Sequence, residues 1–207
     1  MSIEKKKSTL RENIEAIIIA VILALFIRTF LVQAFKIPSG SMKNTLLIGD
    51  HILVNKFAYG IKIPFTDGKT LISLKDPEPR DIVVFKYPED PKKDFIKRVI
   101  GVAGDTIEIK DKKLYVNGTL QEDEPYAIHK DPKMIPAQFT VRDNFGPVTV
   151  PENSLFVMGD NRDNSHDSRF WGFVDLKAVR GKAFLIYWSW NREAFGVRWN
   201  RLGDVLR

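Results

Sequence analysis

The feature that most constrains this chain is an apolar segment near its start, over residues 14–35. Only four of its 22 residues are polar, namely Glu15, Arg28, Thr29 and Gln33. As a helix the segment would be roughly 33 Å long, which is enough to span a bilayer core of about 30 Å. Arg28 lies in the last third, where a long side chain can reach the interface. The segment therefore predicts a transmembrane anchor over residues 14–35.

Two alternatives to a retained anchor stay open. A cleaved secretory signal fits the basic start and the 12 apolar residues over 16–27, but no small-x-small cleavage site follows cleanly. A buried helix of a soluble protein is the other alternative. With an anchor, the basic residues at 5–7 and 11 predict a cytoplasmic N-terminus, a single pass through the plasma (inner) membrane and the rest of the chain outside.

After residue 36 the sequence predicts a mainly β fold. No run has helical period, while short stretches rich in Val, Ile and Phe recur between Gly, Pro, Asn or Asp. The stretches predicted as strands are 51–57, 81–87, 94–102, 106–110, 113–116, 138–142, 154–158 and 182–188. Asp111-Lys112 and Asn117-Gly118 are turn signals, the first of which joins a hairpin. We expect an antiparallel β core with a small β insertion, preceded by one transmembrane helix.

The expected organisation has four parts. These are a basic cytoplasmic N-terminus over 1–13, the anchor over 14–35, a β core from 36–118 and 154–207, and an inserted β subdomain or excursion over 119–153. The last part contains five prolines and less regular patterning, which is typical of an excursion.

The net charge of +6 is concentrated at the two ends. Residues 1–12 carry +2, residues 176–207 carry +5, and the residues between are close to neutral. This distribution argues against a nucleic-acid partner and for contact with a lipid bilayer, since three tryptophans lie among the C-terminal charges. A solvated basic tail is the alternative. The absence of cysteine excludes a disulfide framework, a Cys-type zinc site and a thiol nucleophile.

Two short elements carry residues suited to catalysis. Ser41 follows Gly40 in the first, over 37–42, and could be presented as a nucleophile, although a simple turn serine is the alternative. In the second, over 94–101, Lys97 shares a strand face with Phe95 and Val99. Burial among apolar neighbours lowers a lysine pKa and makes it a usable base. The alternative is an edge-strand lysine that prevents aggregation.

A third element, over 158–169, is a dense run of polar residues. An EF-hand calcium site is excluded, because the loop glycine and the glutamate at position 12 are missing. A Ser-His-Asp triad would need His51, His129 or His166 as its base, and none of the three has a distinguishing context.

Together the three elements resemble the bacterial type I signal peptidases, membrane-anchored Ser/Lys endopeptidases that remove signal peptides from exported preproteins. The resemblance rests on the anchor, PSGSM at 38–42, GDHILVNKFAYG at 49–60, DFIKRVIGVAGD at 94–105 and GDNRDNSHDSRFWG at 159–172. It implies an antiparallel β catalytic core with an appended β subdomain.

Carried over by position, the resemblance also implies roles for single residues. Ser41 would be the nucleophile, Lys97 the general base, and the Ser39 hydroxyl would join the Ser41 backbone N–H in an oxyanion hole. Ser165 would orient the lysine. The implied supporting residues are Asp160, Asp167, Arg169 and Arg98. No cofactor and no metal are implied.

The implied substrates are the signal peptides of exported preproteins, bound in extended form by β-augmentation. Residues suggested for the substrate pockets are Phe35, Ile37, Leu47 and Val83. One departure from the family pattern is Pro79-Arg80-Asp81, where Arg-Gly-Asp is usual, and it affects the expected turn. Two other classes stay open: a self-cleaving SOS repressor, which lacks such an anchor, and a membrane-tethered β domain without activity.

Overall fold

Residues 9–62, 66 and 70–206 are described by a computed structural model. Their regular elements, in chain order, are α1 Thr9–Phe26, a π-helical turn Ile27–Leu31, β1 Val32–Lys36, β2 Asp50–Asn55, β3 Gly60–Lys62, β4 Thr70–Ser73, β5 Ile82–Tyr87, β6 Asp90–Gly101, β7 Thr106–Lys110, β8 Lys113–Val116, β9 Thr119–Leu120, β10 Phe145–Thr149, β11 Ser154–Met158, α2 Ser168–Trp171, β12 Val174–Asp175, β13 Val179–Asn191 and β14 Gly196–Val197. Short 3-10 turns lie at Arg162–Asn164, Leu176–Ala178 and Trp199–Arg201.

The predicted helix over 14–35 is wrong at its C-terminal end. The helix ends after the π-helical turn, and Val32–Lys36 instead forms β1, which pairs antiparallel with β2. Alternate residues of β1 then point to the same face of the sheet. The apolar run therefore changes from the periodicity of a helix to that of a strand. In the described part of the chain, no helix combines the length and the apolar character needed to cross a membrane.

An eight-stranded antiparallel sheet forms the β core. Seven strands follow the order β1-β2-β13-β5-β6-β11-β12, and β14 pairs with the end of β13. A four-stranded sheet, in the order β10-β7-β8-β9, stands beside it, and β3 pairs with β4. The predicted mainly β, antiparallel class is confirmed. The small sheet takes strands from residues 106–149, and the proposed domain division at residue 118 stays a prediction.

Three apolar clusters hold these sheets together. One covers a face of the large sheet around Ile52, Val54 and Ile186, and a second covers the opposite face around Phe85, Val99 and Val157. The third joins the two sheets: Ile100, Phe156 and Met158 of the large sheet pack with Ile107, Ile109 and Leu114 of the small one. Because burial of each large aliphatic side chain contributes about 1.5–3 kcal/mol, this third cluster fixes the small sheet against the strand ends near residue 158.

Seven of the eight predicted strands are present, three of them with the predicted bounds: 106–110, 113–116 and 154–158. The predicted strand over 138–142 is wrong, and the strand forms at Phe145–Thr149 instead. The Arg142 side chain explains the difference, since it donates to the carboxylates of Asp131 and Asp143 and so folds this stretch around ionic contacts.

The basic C-terminal segment is folded onto the large sheet, and the choice between lipid contact and solvation of its exposed side chains stays a prediction. Arg201 donates to the buried Asp50 carboxylate at 2.7 Å and to the Thr45 carbonyl at 2.8 Å. Leu206 is buried in the first apolar cluster. The segment nevertheless leaves Phe195 and Trp199 exposed, at 84% and 73%.

Candidate active site

Ser41 lies in the turn that follows β1, held by apolar neighbours on both sides. Ile37, Met42 and Leu46 are buried in the first core cluster, at 3%, 1% and 0% exposure. The backbone N–H of Ile37 donates to the Asp50 carbonyl at 2.8 Å, which ties the start of the turn to β2. The serine is therefore presented by a fixed turn, because its neighbours cannot leave the core without exposing apolar surface.

Lys97 lies on β6 between β5 and β11, opposite Val83 in the register, so the edge-strand alternative is wrong. Its Nζ donates to Ser41 Oγ at 2.7 Å, across 56 residues of sequence. Burial lowers the pKa of Lys97 to about 8, while Asp167 and Asp160 act in the opposite direction. The structure thus brings the predicted serine and lysine together, with the lysine amine easier to deprotonate than in water.

Asp167 and Arg169 form a buried pair beside this lysine. Arg169 Nε donates to Asp167 Oδ1 at 2.8 Å, and the two residues are 0% and 4% exposed. Burial alone would raise the pKa of Asp167, but the Arg169 charge and the hydrogen bonds from Arg169 and Gly159 hold it below its usual range. Asp167 therefore stays ionised as a fixed negative charge near Lys97.

Asp160 and Arg98 form a second buried pair, with both side chains 1% exposed. Arg98 binds the Asp160 carboxylate with two hydrogen bonds, of 2.9 and 2.8 Å, and its guanidinium lies 3.8 Å from the Tyr126 ring centroid. The two-pronged geometry suits a planar guanidinium and could not be kept by lysine. Arg98 also donates to the Arg80 carbonyl at 2.9 Å.

The departure at Pro79-Arg80-Asp81 leaves the turn intact. Arg80 adopts a φ of 76°, in the left-handed region that a glycine occupies readily, at a cost of roughly 1–2 kcal/mol for a residue with a side chain. Its backbone N–H still donates to the Val99 carbonyl at 2.8 Å. The strain is therefore local to the turn before β5.

Ser165 is buried next to Ser41, with Gly159 between them. A Cβ at residue 159 would lie 2.5 Å from the Ser41 carbonyl oxygen and 2.6 Å from the Ser165 Cβ. The buried Ser165 hydroxyl has no hydrogen-bond partner among the described residues. Only glycine allows the polar run to approach Ser41 this closely.

Two contributors to the site, Asn161 and Thr45, were missed by sequence reasoning. Asn161 holds the serine turn twice: its backbone N–H donates to the Ser41 carbonyl and its Nδ2 to the Gly40 carbonyl, both at 3.0 Å. Thr45 donates its hydroxyl to the Asp160 carboxylate. The density of the polar run was a signal for Asn161, whereas Thr45 had none.

A cavity of about 520 Å³ opens beside the serine. Its lining residues are Ser39, Gly40, Ser41, Lys43, Phe95, Lys97, Lys130, Asn161, Asn164 and His166. None of the four residues suggested for the substrate pockets lines it, and Ile37 and Val83 are buried in the core. Ser39 is exposed at its rim, as an oxyanion donor would need to be.

No histidine among the described residues donates to or accepts from Ser41. His166 lines the cavity, but its Nε2 lies 3.2 Å from the Tyr87 hydroxyl, and His129 faces Asp163 at 3.7 Å. The His51 ring packs against Tyr187. Nor does the described part of the chain contain a cluster of His, Cys, Asp or Glu suited to a metal ion. The chemistry available here is that of a serine hydroxyl and a lysine amine, which fits a serine hydrolase.

Comparison with known proteins identifies the kind of hydrolase. A family model described as Signal peptidase, peptidase S26, matches residues 10–188. Signal peptidase I of Pseudomonas aeruginosa is 42% identical over 196 residues, covering 81% of this chain and 69% of that protein. Signal peptidase I of Aquifex aeolicus is 36% identical over 230 residues, covering 87% and 85%. A crystal structure of signal peptidase I from Enterococcus faecalis is 33% identical and covers 53% of this chain and 98% of that one, with a TM-score of 0.42.

The chain therefore belongs to the signal peptidase family, peptidase S26, and is a serine endopeptidase. The resemblance found in the sequence is confirmed. A β domain without activity and a self-cleaving repressor are set aside by the same matches.

The Gly159→Ala substitution tests the close approach of the polar run to Ser41. We expect kcat for peptide cleavage to fall about 100-fold, because a new methyl group displaces the serine turn, and misplacement of a reacting group by about 1 Å costs this much. Gly196→Ala is the matched control, since its nearest neighbour would lie 3.6 Å away. Equal kcat values for the two variants would contradict the expectation.

Proposed function

We propose that this protein removes N-terminal signal peptides from exported preproteins, with Ser41 as the nucleophile and Lys97 as the general base. The observation that carries the proposal is the 2.7 Å hydrogen bond between Lys97 Nζ and Ser41 Oγ at a buried position of a signal peptidase fold. The relatives named signal peptidase I support the choice of substrate.

In the proposed reaction Lys97 takes the proton of Ser41 as its Oγ attacks the carbonyl carbon of the scissile bond. The oxygen that becomes negative is stabilised by the Ser41 backbone N–H and the Ser39 hydroxyl, and each such donor contributes on the order of 10²–10³ in rate. The protonated Lys97 then passes its proton to the leaving amine. Water, activated by the neutral Lys97, hydrolyses the acyl ester and frees Ser41.

The supporting residues act on the lysine and on the serine turn. Each of the two carboxylates near Lys97 is already paired, Asp167 with Arg169 and Asp160 with Arg98. Neither carboxylate lies within ion-pair distance of Lys97, so the lysine keeps its lowered pKa. Ser165, buried beside Gly159, is proposed to orient the Lys97 amine during the cycle.

We further propose that the enzyme works at a membrane, as a single-pass protein with a cytoplasmic N-terminus and its catalytic domain on the outer side. The apolar side chains of α1 are exposed around the helix; Ile17, Ile19 and Ile22 are more than 60% exposed. A helix that is apolar on every side is stable only when other apolar matter covers it. Lipid would do so, and the exposed Phe195 and Trp199 offer a second contact.

Substitution of the proposed pair tests the mechanism. Ser41→Ala and Lys97→Ala should each abolish cleavage of a preprotein by the full chain in detergent. Lys97→Arg is the sharper variant, because it keeps the positive charge but does not release its proton near neutral pH, so it should be as inactive as Lys97→Ala. Activity close to normal in any of the three variants would refute the assignment.

The rate should also depend on pH in a defined direction. Because only the neutral amine accepts a proton and burial lowers the pKa of Lys97 to about 8, kcat/KM should rise about tenfold per pH unit below pH 8 and level off above it. The measurement is a pH–rate profile from about pH 6 to 9, with circular dichroism as the control for folding. A rate that is flat or falls between pH 6 and 8 would show that Lys97 is not the base.

Membrane contact of the C-terminal segment can be measured by quenching of tryptophan fluorescence. In vesicles with brominated acyl chains, Trp199→Phe should remove much of the quenchable emission, because Trp199 is 73% exposed. Trp171→Phe is the control, since Trp171 packs between Phe85 and Tyr87. Quenching in the Trp199→Phe variant equal to that of the unchanged protein would exclude contact at this position.

A further inference from the structure

The cavity beside Ser41 contains more positive charge than the proposed reaction uses. Besides Lys97 it is lined by Lys43 and Lys130, and no aspartate or glutamate lines it. In the part of the chain that the structure describes, neither Lys43 nor Lys130 takes part in an ion pair or a side-chain hydrogen bond. Two ammonium groups with no anionic partner therefore face one cavity.

Both lysines line the same cavity as the reacting groups. Lys43 lies two residues after Ser41, and its Cε would be 3.3 Å from a Cβ on residue 40, so its stem runs over the Gly40 backbone. Lys130 is positioned through Ile128, whose backbone N–H donates to the Asp160 carbonyl at 2.8 Å and whose carbonyl accepts from the Arg162 N–H at 3.0 Å.

Nearby carboxylates cannot satisfy these ammonium groups. Asp160 and Asp167 are fully buried, and each is bound to an arginine. The Asp163 side chain is 2% exposed and accepts a hydrogen bond from Lys112 at 2.9 Å. None of these three carboxylates is free to pair with Lys43 or Lys130, which leaves both ammonium groups available to an anion on a bound molecule.

The position of Lys97 shows which part of a substrate enters this cavity. The amine that takes the proton of Ser41 returns it to the leaving nitrogen, so that nitrogen must lie within hydrogen-bond reach of Lys97 Nζ. Lys97 itself lines the cavity. The residues that follow the scissile bond therefore extend into it.

We propose that Lys43 and Lys130 form a subsite for a side-chain carboxylate within the first three residues after the scissile bond. The inference rests on the proposed function, since it assumes that Ser41 and Lys97 cleave a peptide. The subsite selects acidic side chains there, because an aspartate gains two attractive contacts that an asparagine does not. Each contact is only partly shielded from water, and each lysine is expected to change the rate by a factor of roughly 2 to 5.

Paired peptides that differ only in Asp or Asn at one of these three positions test the subsite. The ratio of kcat/KM for the Asp peptide to that for the Asn peptide is measured with the full chain in detergent. We expect a ratio above one at one or more positions, a smaller ratio in Lys43→Gln and in Lys130→Gln, and a further decrease in the double variant. Added salt should lower the ratio of the unchanged protein.

Charge reversal and a matched control make the test specific. In the Lys43→Glu/Lys130→Glu variant the Asn peptide should become the better substrate. Lys113→Gln removes an equal charge from an exposed position on β8, outside the cavity, and should leave the ratio as it was. A ratio of one in the unchanged protein, or the same ratio in the double variant, would overturn the subsite while leaving peptide cleavage in place. Failure to cleave either peptide would instead count against the proposed function.

Discussion

The burial of one lysine amine is the constraint on which the site depends. Lys97 is 4% exposed on a central strand of the large sheet, and this desolvation is the main reason that its pKa lies near 8. An amine buried without a partner is costly, and the hydrogen bond to Ser41 Oγ at 2.7 Å provides that partner. The strand order that excludes Lys97 from the sheet edge is therefore also what makes it usable as a base.

The arginines near the site complement this constraint. If Asp160 or Asp167 were paired directly with Lys97, attraction would favour the charged amine and the pKa would rise. Arg98 and Arg169 prevent such a pairing, because each holds one carboxylate through two hydrogen bonds. The site thus keeps the two negative charges close to Lys97, but neither forms an ion pair that would hold its amine in the protonated form.

Local patterns in the sequence predicted most of the β core, and contacts between distant residues account for the errors. The sequence predicts strands β7 and β8 to the residue, because the turn signal Asp111-Lys112 lies between two short alternating runs. In the structure these two turn residues have φ values of 49° and 66°. Strand β1 was hidden in a continuous apolar run, since nothing local marks where helix gives way to strand. Its register is set by β2, which lies later in the chain.

The same distinction between local patterns and contacts of distant residues applies to the active site. No local pattern pairs Ser41 with Lys97, which is 56 residues away, so only the resemblance to a family joined them before the structure did. Thr45 is beyond both kinds of reasoning, because its bond to Asp160 spans 115 residues and no motif contains it. The density of the polar run marks Asn161, but it does not indicate a bond to Gly40, which is 121 residues away. Such contacts depend on how whole sheets pack against each other, and the local pattern around a single residue does not predict this packing.

The irregular segment that follows β9 holds the polar run over residues 158–169 in place. Ile128 bridges to Asn161 in parallel fashion, and Glu124 forms an ion pair with Arg162, whose side chain is 2% exposed. Since loss of one partner of a buried pair leaves an uncompensated charge, this contact resists separation of the two segments. Asn161 in turn holds the Gly40 and Ser41 carbonyls. The irregular, proline-rich segment is therefore linked to the nucleophile through two successive sets of hydrogen bonds. Its residues are irregular because they pack against a loop and do not extend a sheet.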